Sequence, residues 1–492
     1  MKTLTELVAD ALVAVKAVAD NAPAIEIVSE SVLPGVTLGN YGIVTARLNS
    51  VEIRKTLARK SRCDMPPGLV QIDNDIRIAS GNQIRGLGTS DNPSVIQVVP
   101  GSPAVAARGP AKAWYSLFQS NTAAGPLVGD TFGLPVGPAH GVSISNLMLD
   151  CGFDEQSRDA QGRMLTTTQA ISIEGTGIVA EDVVIRNCGK GLGGGECFAV
   201  RMFAPSGAAA EPRSSWLSRI RCSHIGSAVQ THAGAGGDEI TLFSLVGSPA
   251  NLLVAPVIEN CVVANLKRGP SQPSPIHVFH TAYCVGDVVR NNTVLDSDAT
   301  CVYRDTGRSR ASRVTDNLFM GVHRGVFLNA VTDFWSQDFS IDGNRIELYA
   351  DKPSWIISGT PAGILLQSTG GPSFVRGQFA GNVIRGMGGD FGAQHFYSRG
   401  IYLELRSKTD AAGLVARDNL IDVLQPPVGP YYNFPMGVGM IAKLGLYVAN
   451  LTAWDVANPC LRSWGNRDSS GVLLPITITD AGYIPRLSVS QV

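Results

Sequence analysis

The chain has 492 residues and a formal net charge of −1, with 54 glycines, 44% hydrophobic residues and 16% charged residues. A nearly neutral chain gives no electrostatic reason to bind nucleic acid or an anionic membrane, so neither is predicted as a partner. The apolar fraction is sufficient for a long core. A chain of 492 residues exceeds the usual size of one globular core, which favours an elongated, repetitive fold.

Residues 1–42 are predicted to form an N-terminal helix followed by a neck. Apolar residues recur there at heptad spacing, at Leu4, Val8, Ala11, Val15 and Val18. Glu6, Asp10 and Lys16 interrupt the apolar stretch, so no secretory signal is predicted. Two interpretations stay open. The helix is either a trimerisation stem or virion anchor, with residues 24–42 as the neck, or an amphipathic helix that packs on the chain's own solenoid.

Residues 49–62 are predicted to form a short capping helix, with Asn49 or Ser50 as its N-cap. A helix at the start of a solenoid covers the core of the first coil. It also keeps the backbone edge of that coil away from water and from other chains.

From residue 43 to residue 450 the chain repeats one short pattern, an Asn or Asp followed directly by an apolar run. GNQIRGLG at 81–88 returns as GNVIRGMG at 381–388, and the pattern begins at Asn82, Asn146, Asp182, Asn260, Asn292, Asn317, Asn344, Asn382, Asn419 and Asn450. Short strands bounded by Gly, Asn and Asp and repeated in this way are typical of a parallel β-helix. About ten coils spaced 4.8 Å apart would give a rod of roughly 50 Å. Each Asn is expected to bond the backbone of the next coil and to adopt a left-handed φ.

The nine cysteines are scattered through the repeats and include no CxxC pair. They are predicted to be reduced, small apolar side chains of the core, and the sequence predicts neither a metal site nor a cofactor.

Most repeats contain a second short strand that ends in a polar residue. Aligned by their leading small residue, these strands place seven polar residues in one slot: Arg201, Gln230, His280, Arg304, Asn329, Gln367 and Glu404. Stacked coils would turn this slot, together with Tyr303, into a substrate-binding ladder suited to several saccharide units. The alternative is that strands end in polar residues because the chain is leaving the core.

Insertions beside the same slot supply carboxylates, and long loops on one side of a rigid scaffold often carry binding sites. Because glycoside hydrolysis needs two carboxyl groups, the predicted catalytic residues are Asp305 with Glu239 or Asp238, and Glu196 as a third candidate. Each of them is alternatively a solvated loop charge. An eliminating lyase would instead need a base and a cation near an acidic sugar, for which His280, Tyr303 and Arg304 are the candidates.

The segment DMPPGLVQIDNDIRIASGNQIRGLGTSDNPSVIQV, residues 64–98, resembles the first coils of the pectate-lyase-like superfamily. The resemblance implies an all-β, single-stranded, right-handed parallel β-helix, with the helix at 49–62 plugging its open end. The paired-Asp and Gly-His-Gly signatures of polygalacturonases and the Asp-rich calcium cluster of pectate lyases are missing, which disfavours pectin as the substrate. The resemblance is therefore to the divergent members, the phage tailspikes, which share the solenoid and vary their active sites.

Three functions stay open. The first is a homotrimeric tailspike on a phage virion that binds and depolymerises a bacterial surface polysaccharide and contacts other virion proteins through its N-terminus. The second is a non-catalytic virion protein of the same fold, in a collar, tail or capsid. The third is a monomeric bacterial polysaccharide lyase or glycoside hydrolase. Residues 451–492 are expected to form strands that cap the last coil or pair between subunits.

Overall fold

The structure is a computed structural model. It describes residues 42–102, 105, 114–120, 137–162, 164–191, 197–205, 216–218, 221–223, 240–266, 276–305, 307–330, 335–348, 361–368, 374–386, 399–404, 411–412, 414–417, 419–423, 436–440 and 453–454. The predicted N-terminal helix and almost all of the predicted C-terminal cap lie outside these residues.

Helix α1 runs over Ile43–Lys60 and packs on the first strands of the chain. It begins before the predicted start at residue 49, and Gly42 rather than Asn49 or Ser50 is its N-cap. No helix in the described part of the chain is long and apolar enough to cross a membrane.

The prediction for Asn49 and Ser50 was wrong because these side chains bond the first coil instead of the helix start. Asn49 Nδ2 donates to the backbone oxygen of Gln71 at 2.9 Å, and Ser50 Oγ donates to Asp73 Oδ1 at 2.8 Å. Both residues are buried. The helix therefore covers the first coil, as predicted, and these bonds fix its position there.

Short strands make up most of the described chain. In the first half they are β1 Arg62–Met65, β2 Gly68–Ile72, β3 Ile76–Arg77, β4 Gln83–Gly86, β5 Ser94–Val98, β6 Trp114–Gln119, β7 Ser143–Asp150, β8 Thr167–Glu174, β9 Val179–Arg186, β10 Cys197–Phe203, β11 Trp216–Ser218, β12 Arg221–Ser223, β13 Ile240–Val246, β14 Leu253–Val254, β15 Val257–Glu259, β16 Val262–Ala264, β17 Ile276–Ala282 and β18 Cys284–Val285. In the second half they are β19 Val288–Arg290, β20 Thr293–Arg304, β21 Arg308–Arg310, β22 Arg313–Thr315, β23 Leu318–Ala330, β24 Trp335–Gln337, β25 Ser340–Asp342, β26 Arg345–Leu348, β27 Ala362–Ser368, β28 Phe374–Val375, β29 Gln378–Ala380, β30 Val383–Gly386, β31 Arg399–Glu404, β32 Ala411–Ala412, β33 Val415–Arg417, β34 Leu420–Val423, β35 Met436–Met440 and β36 Ala453–Trp454. A 3₁₀ helix lies at Phe153–Glu155.

Parallel pairing between successive coils arranges these strands in four ladders. Ladder A joins β1, β4, β7, β9, β11, β15, β19, β22, β25, β29, β33 and β36. Ladder B joins β2, β5, the second halves of β7 and β9, then β12, β16, β20, β23, β26, β30 and β34. Ladder C joins β3, β6, β8, β10, β13, β17, the second halves of β20 and β23, then β27, β31 and β35. Ladder D joins β14, β18, β21, β24, β28 and β32. The chain is a parallel β-helix, as its repeats predict.

The ladders enclose one apolar core, because alternate residues of each strand point inward. In ladder A the inward column is buried and includes Cys63, Ile84, Ile144, Ala180, Ile258, Val289, Val314, Ile341 and Phe379. The prediction for the cysteines is confirmed for seven of them, since free thiols are buried in this core at Cys63, Cys151, Cys188, Cys197, Cys261, Cys284 and Cys301.

A stack of asparagines occupies the corner between ladders A and B. Its members are Asn292, Asn317, Asn344, Asn382 and Asn419. The Nδ2 of each of the first four donates to the Oδ1 of the next asparagine at 2.8 to 3.0 Å. The same Oδ1 accepts the backbone N–H of the preceding asparagine at 3.0 to 3.1 Å. The prediction that the repeated Asn bonds the backbone of a neighbouring coil is therefore confirmed for these five residues, although that backbone belongs to the preceding coil rather than the next.

Left-handed backbone also occurs at this corner, but in most of the stack it lies one residue before the predicted position. The residues concerned are Asn291 (φ 54°), Asp316 (φ 56°), Gly343 (φ 67°) and Gly381 (φ 62°). The predicted left-handed φ at the repeat residue itself is found, among those described, at Asn146, Asp182 and Asn260. The corner needs both a left-handed turn and an amide in the stack, and two consecutive residues share these requirements.

The two near-copies GNQIRGLG and GNVIRGMG lie at different corners of the coil. Gln83 begins β4 in ladder A, whereas the equivalent Val383 begins β30 in ladder B. Asn82 Oδ1 accepts the backbone N–H of Ala79 at 2.8 Å, while Asn382 belongs to the asparagine stack. The same eight-residue pattern therefore turns the chain at two places that are not structurally equivalent.

Candidate functional site

Ladder C carries a column of chemically active side chains on its outer face. Four residues lie in register on β10, β13, β17 and β20, and we call them the outer column: Arg201, Ser244, His280 and Tyr303. The residues directly before two of them, Phe243 and Phe279, lie in the core, where their ring centroids are 5.5 Å apart. Because side chains alternate along a strand, the outer column faces away from the core.

His280 joins two of its neighbours through its two ring nitrogens. Ser244 Oγ lies 3.2 Å from His280 Nδ1, and His280 Nε2 lies 3.4 Å from Asp305 Oδ1. The second distance is that of an ion pair rather than of a short hydrogen bond. A tautomer with the proton on Nε2 lets Nδ1 accept the Ser244 hydroxyl proton, while Nε2 faces the carboxylate without a hydrogen bond to it.

Exposure increases along these three residues. Ser244 is 1% exposed, whereas the His280 and Asp305 side chains are 14% and 26% exposed. Asp305 directly follows the end of β20, so ladder C holds it beside the imidazole. The site therefore places an ionisable pair at the surface and a hydroxyl beneath it.

Rings and amides surround the ionisable pair. The His277 ring stacks on Tyr303 with centroids 3.6 Å apart, and Tyr303 itself is 6% exposed. Asn329 Nδ2 donates to the Tyr303 hydroxyl at 3.3 Å, which connects the outer column to the next polar position on β23. These contacts hold the Tyr303 ring in one orientation beside His280.

Arg201 lies between two aromatic rings at the start of the outer column. Its guanidinium carbon is 4.8 Å from the centroid of Phe198 and 4.6 Å from that of Phe203. Both distances are in the range of cation–π attraction. The residue is half-buried, so the rings hold a cation at the surface one coil before Ser244.

The prediction that Arg304 lies on the binding surface was wrong. Arg304 is 1% exposed, and its Nη2 donates to Asp287 Oδ2 at 2.6 Å inside the solenoid. Thr281 Oγ1 donates to the same carboxylate oxygen at 2.7 Å, and the hydroxyl of Ser312 donates to Asp287 Oδ1. Arg304 follows Tyr303 directly, so alternation along the strand turns it to the opposite face.

The remaining residues of the predicted slot lie in a different register. Asn329, Gln367 and Glu404 pair with one another across β23, β27 and β31. Because β20 pairs Tyr303 with Phe327, this second polar column lies two residues beyond the outer column on the same face. The predicted single slot is therefore two neighbouring columns, and Asp305 lies beside the second.

Four predicted residues lie outside the described part of the chain: Gln230, Glu196, Asp238 and Glu239. Of the predicted catalytic group, Asp305 alone is described, and its roles with Glu239 or Asp238 stay predictions. The structure brings together His280, Tyr303 and Asp305 from the predicted set.

Ser244 and His277 belong to this site but were not predicted. The sequence does contain a signal that could have found Ser244. The segments ITLFSLV at 240–246 and IHVFHTA at 276–282 align without a gap, and this alignment places Ser244 opposite His280. For His277 the alternation of strand residues would predict the inner face, so no simple pattern assigns it to the site.

The arrangement supports proton transfer and charge stabilisation. An imidazole bonded to a hydroxyl on one side and paired with a carboxylate on the other can accept and return a proton. Among the described residues, no group of three or more His, Cys, Asp or Glu side chains is arranged to hold a metal ion.

No protein-family model and no curated protein matches the chain. The solved structure of DFA-IIIase from Arthrobacter chlorophenolicus A6 without its lid is similar, with a TM-score of 0.50 and 12% identity over 85% of this chain and 92% of that chain. Two further similar structures have lower scores. The mannuronan C-5 epimerase AlgE4 A-module of Azotobacter vinelandii has a TM-score of 0.44 and 14% identity, over 81% of this chain and 96% of its own. The surface adhesin PfbA of Streptococcus pneumoniae has a TM-score of 0.41 and 10% identity, over 92% of this chain and 98% of its own. At 12% identity the likeness to DFA-IIIase supports the fold alone, a parallel β-helix.

Proposed function

We propose that the chain is a tailspike-like virion protein that binds a bacterial surface polysaccharide along the outer face of ladder C and depolymerises it there. The observation that carries this proposal is the partly exposed His280–Asp305 pair on a rigid stack of strands. An ionisable pair of this kind beside aromatic rings and amide groups is a common arrangement of sites that bind sugars and transfer protons.

Hydrolysis of a glycosidic bond is one reaction that this site can support. Asp305 supplies one of the two carboxyl groups that the reaction needs, and the sequence offers Glu239, Asp238 or Glu196 as the second. His280 lies 3.4 Å from this carboxylate and limits the positions that it can take.

Elimination from an acidic sugar is the alternative reaction at the same position. His280 would accept the proton next to the sugar carboxylate, and Tyr303 would orient the ring of the sugar. Because Arg304 is buried in an ion pair, Arg201 takes its place as the cation of the outer column.

The experiment for cleavage uses a panel of bacterial surface polysaccharides and two readouts. New reducing ends report either reaction, and ultraviolet absorbance of an unsaturated sugar reports elimination alone. We expect Asp305→Asn and His280→Ala to abolish cleavage, whereas Asp91→Asn, at an exposed bend between β4 and β5, keeps it. Full cleavage by both site variants would refute the proposed site. Binding without cleavage by the wild-type chain would favour a non-catalytic virion protein.

Assembly is tested by the mass of the full chain in solution. The proposal includes a homotrimer held by residues 1–42, so light scattering should give about three times 51.9 kDa. A chain that starts at Ala24 should dissociate more readily. A monomer in both cases would contradict the stem and would favour a solitary polysaccharide lyase or glycoside hydrolase.

A further inference from the structure

We propose that Ser244 is a nucleophile and that the site of Ser244, His280 and Asp305 hydrolyses acyl esters. The substrate class is a small O-acyl group, such as an acetyl ester, on a saccharide. The nucleophile is inferred from geometry alone, whereas the saccharide part of the substrate rests on the proposed function.

The three residues stand in the order that activates a serine. A hydroxyl must contact a base, and the base must be oriented by a third group. In this chain Ser244 Oγ is 3.2 Å from His280 Nδ1, and His280 Nε2 is 3.4 Å from Asp305 Oδ1. The same order of groups recurs on unrelated folds, because it depends on geometry rather than on position in the chain.

Successive coils hold the three groups in place. Ser244 pairs with His280 between β13 and β17, and His280 pairs with Tyr303 of β20, which Asp305 follows closely. Adjacent strands lie about 4.8 Å apart, which is close enough for each side chain to reach the next. Groups placed on a rigid ladder keep their geometry better than groups on loops.

The reaction proceeds in two balanced steps. Ser244 Oγ attacks the carbonyl carbon while its proton moves to His280 Nδ1, and Asp305 stabilises the resulting imidazolium through Nε2–H. The sugar oxygen leaves with that proton, and an acyl group remains on Ser244. Water then attacks the acyl-serine, again giving its proton to Nδ1. The free carboxylic acid departs and the serine hydroxyl is restored.

Arg201 is placed to stabilise the charge that develops on the carbonyl oxygen. It is the register partner of Ser244 on the preceding strand and faces the same side of the ladder. The rings of Phe198 and Phe203, at 4.8 and 4.6 Å, keep the guanidinium over this face. A fixed cation at the position of a developing oxyanion lowers the barrier without reorganisation.

The burial of Ser244 limits the size of the acyl group that can reach it. Ser244 is 1% exposed, while its partners His280 and Asp305 are 14% and 26% exposed. The hydroxyl is therefore almost closed to solvent, which disfavours a long acyl group.

The chain contains a matched control for this serine. Ser172 lies in the same column, one coil before Arg201, and is also buried. Its register neighbours are Gln119 and Arg201, so neither adjacent strand places an imidazole beside it. It should not react as a nucleophile.

The experiment combines a covalent probe with a small ester. The full chain is treated with a fluorophosphonate and the labelled peptide is identified by mass spectrometry, and hydrolysis of p-nitrophenyl acetate is followed in parallel. We expect an adduct on Ser244 and ester hydrolysis in the wild-type chain and in Ser172→Ala. Ser244→Ala should abolish both, and His280→Ala should slow both by about a hundredfold or more. Circular dichroism and the melting temperature verify that each variant is folded.

The inference is overturned if the folded wild-type chain shows neither an adduct on Ser244 nor ester hydrolysis that Ser244→Ala removes. Cleavage of a polysaccharide in that case would still support the proposed function. Conversely, an adduct on Ser244 without any polysaccharide cleavage would support the nucleophile and count against depolymerisation.

Discussion

Arg304 and Asp287 form an ion pair inside the solenoid, with Nη2 and Oδ2 2.6 Å apart and side-chain exposures of 2% and 0%. Two strands of different ladders are thereby connected across the core, because Arg304 ends β20 in ladder C and Asp287 directly precedes β19 in ladder A.

Removal of one partner should therefore be costly. Arg304→Ala leaves the Asp287 carboxylate buried and without its cation, and we expect the free energy of unfolding to fall by about 3–5 kcal/mol. Urea unfolding followed by circular dichroism measures the loss. As a control, Arg376→Ala removes an exposed ion pair with Asp338 and should change stability little. Equal urea midpoints for the two variants would contradict the structural role of the buried pair.

Substitution of an asparagine in the middle of the stack should lower the stability of the fold most. Asn344→Ala removes the acceptor of Asn317 Nδ2, at 2.8 Å, and the donor to Asn382 Oδ1, at 3.0 Å. Buried groups on both neighbouring coils then lose a partner, and we expect a loss of about 2–4 kcal/mol. Thermal and urea unfolding measure it. Asn291→Gly, at an exposed left-handed residue next to the stack, should be nearly neutral. A neutral Asn344→Ala would refute the contribution of the stack.

The buried thiols should be protected from alkylation and should make the fold sensitive to alkaline pH. Burial raises the pKa of the Cys63 thiol from 9.0 to about 12, and it raises the pKa of Cys284 and Cys301 well above the ordinary value. Iodoacetamide should therefore label these thiols only in urea, as peptide mass mapping can show. Labelling in the native chain would contradict their burial.

The sign of the pH effect follows from the same shift. Above pH 9.0 the unfolded Cys63 thiol releases its proton while the folded one retains it up to about pH 12, so stability falls as pH rises through this window. Cys63→Ala should make the decline in urea midpoint shallower than in the wild-type chain. A parallel decline in both chains would show that Cys63 does not contribute.

Docking of helix α1 should depend on its polar contacts with the first coil. Asn49→Ala leaves the buried backbone oxygen of Gln71 without the donor now at 2.9 Å, and we expect a loss of about 1–3 kcal/mol. Limited proteolysis should cut near residue 43 sooner than in the wild-type chain. Arg59→Ala, at an exposed position of the same helix, is the control and should leave the cleavage rate unchanged.

Much of the fold follows from the sequence because the corners need specific chemistry. Residues such as Asn317 recur before apolar runs because a stacked corner needs an amide that both donates and accepts. The helix boundary was harder to predict, since Asn49 and Ser50 have the composition of an N-cap but bond a coil more than 20 residues away. Local patterns contain no information about such contacts.

The site was predicted only in part because sequence does not fix register. Tyr303 and Arg304 are adjacent, and a shift of one residue decides which of them faces outward. An alignment of strand ends in the sequence predicts that Arg304 faces outward. In the structure Tyr303 pairs with Phe327 and Arg304 pairs with Leu328, and Tyr303 is the one that faces outward. Ser244 was missed because the prediction looked for a polar residue at the end of each strand. Its strand continues for two more residues, Leu245 and Val246, which are both apolar.

The two copies of GNxIRGxG cannot be used to align the coils of this chain with one another. Aligning the chain with itself through Asn82 and Asn382 superposes one coil on another that is out of phase by a corner, since one copy leads into ladder A and the other into ladder B. A tandem duplication would preserve the phase. These two copies do not preserve it, so an alignment of the chain with itself through them assigns their strands to the wrong ladders.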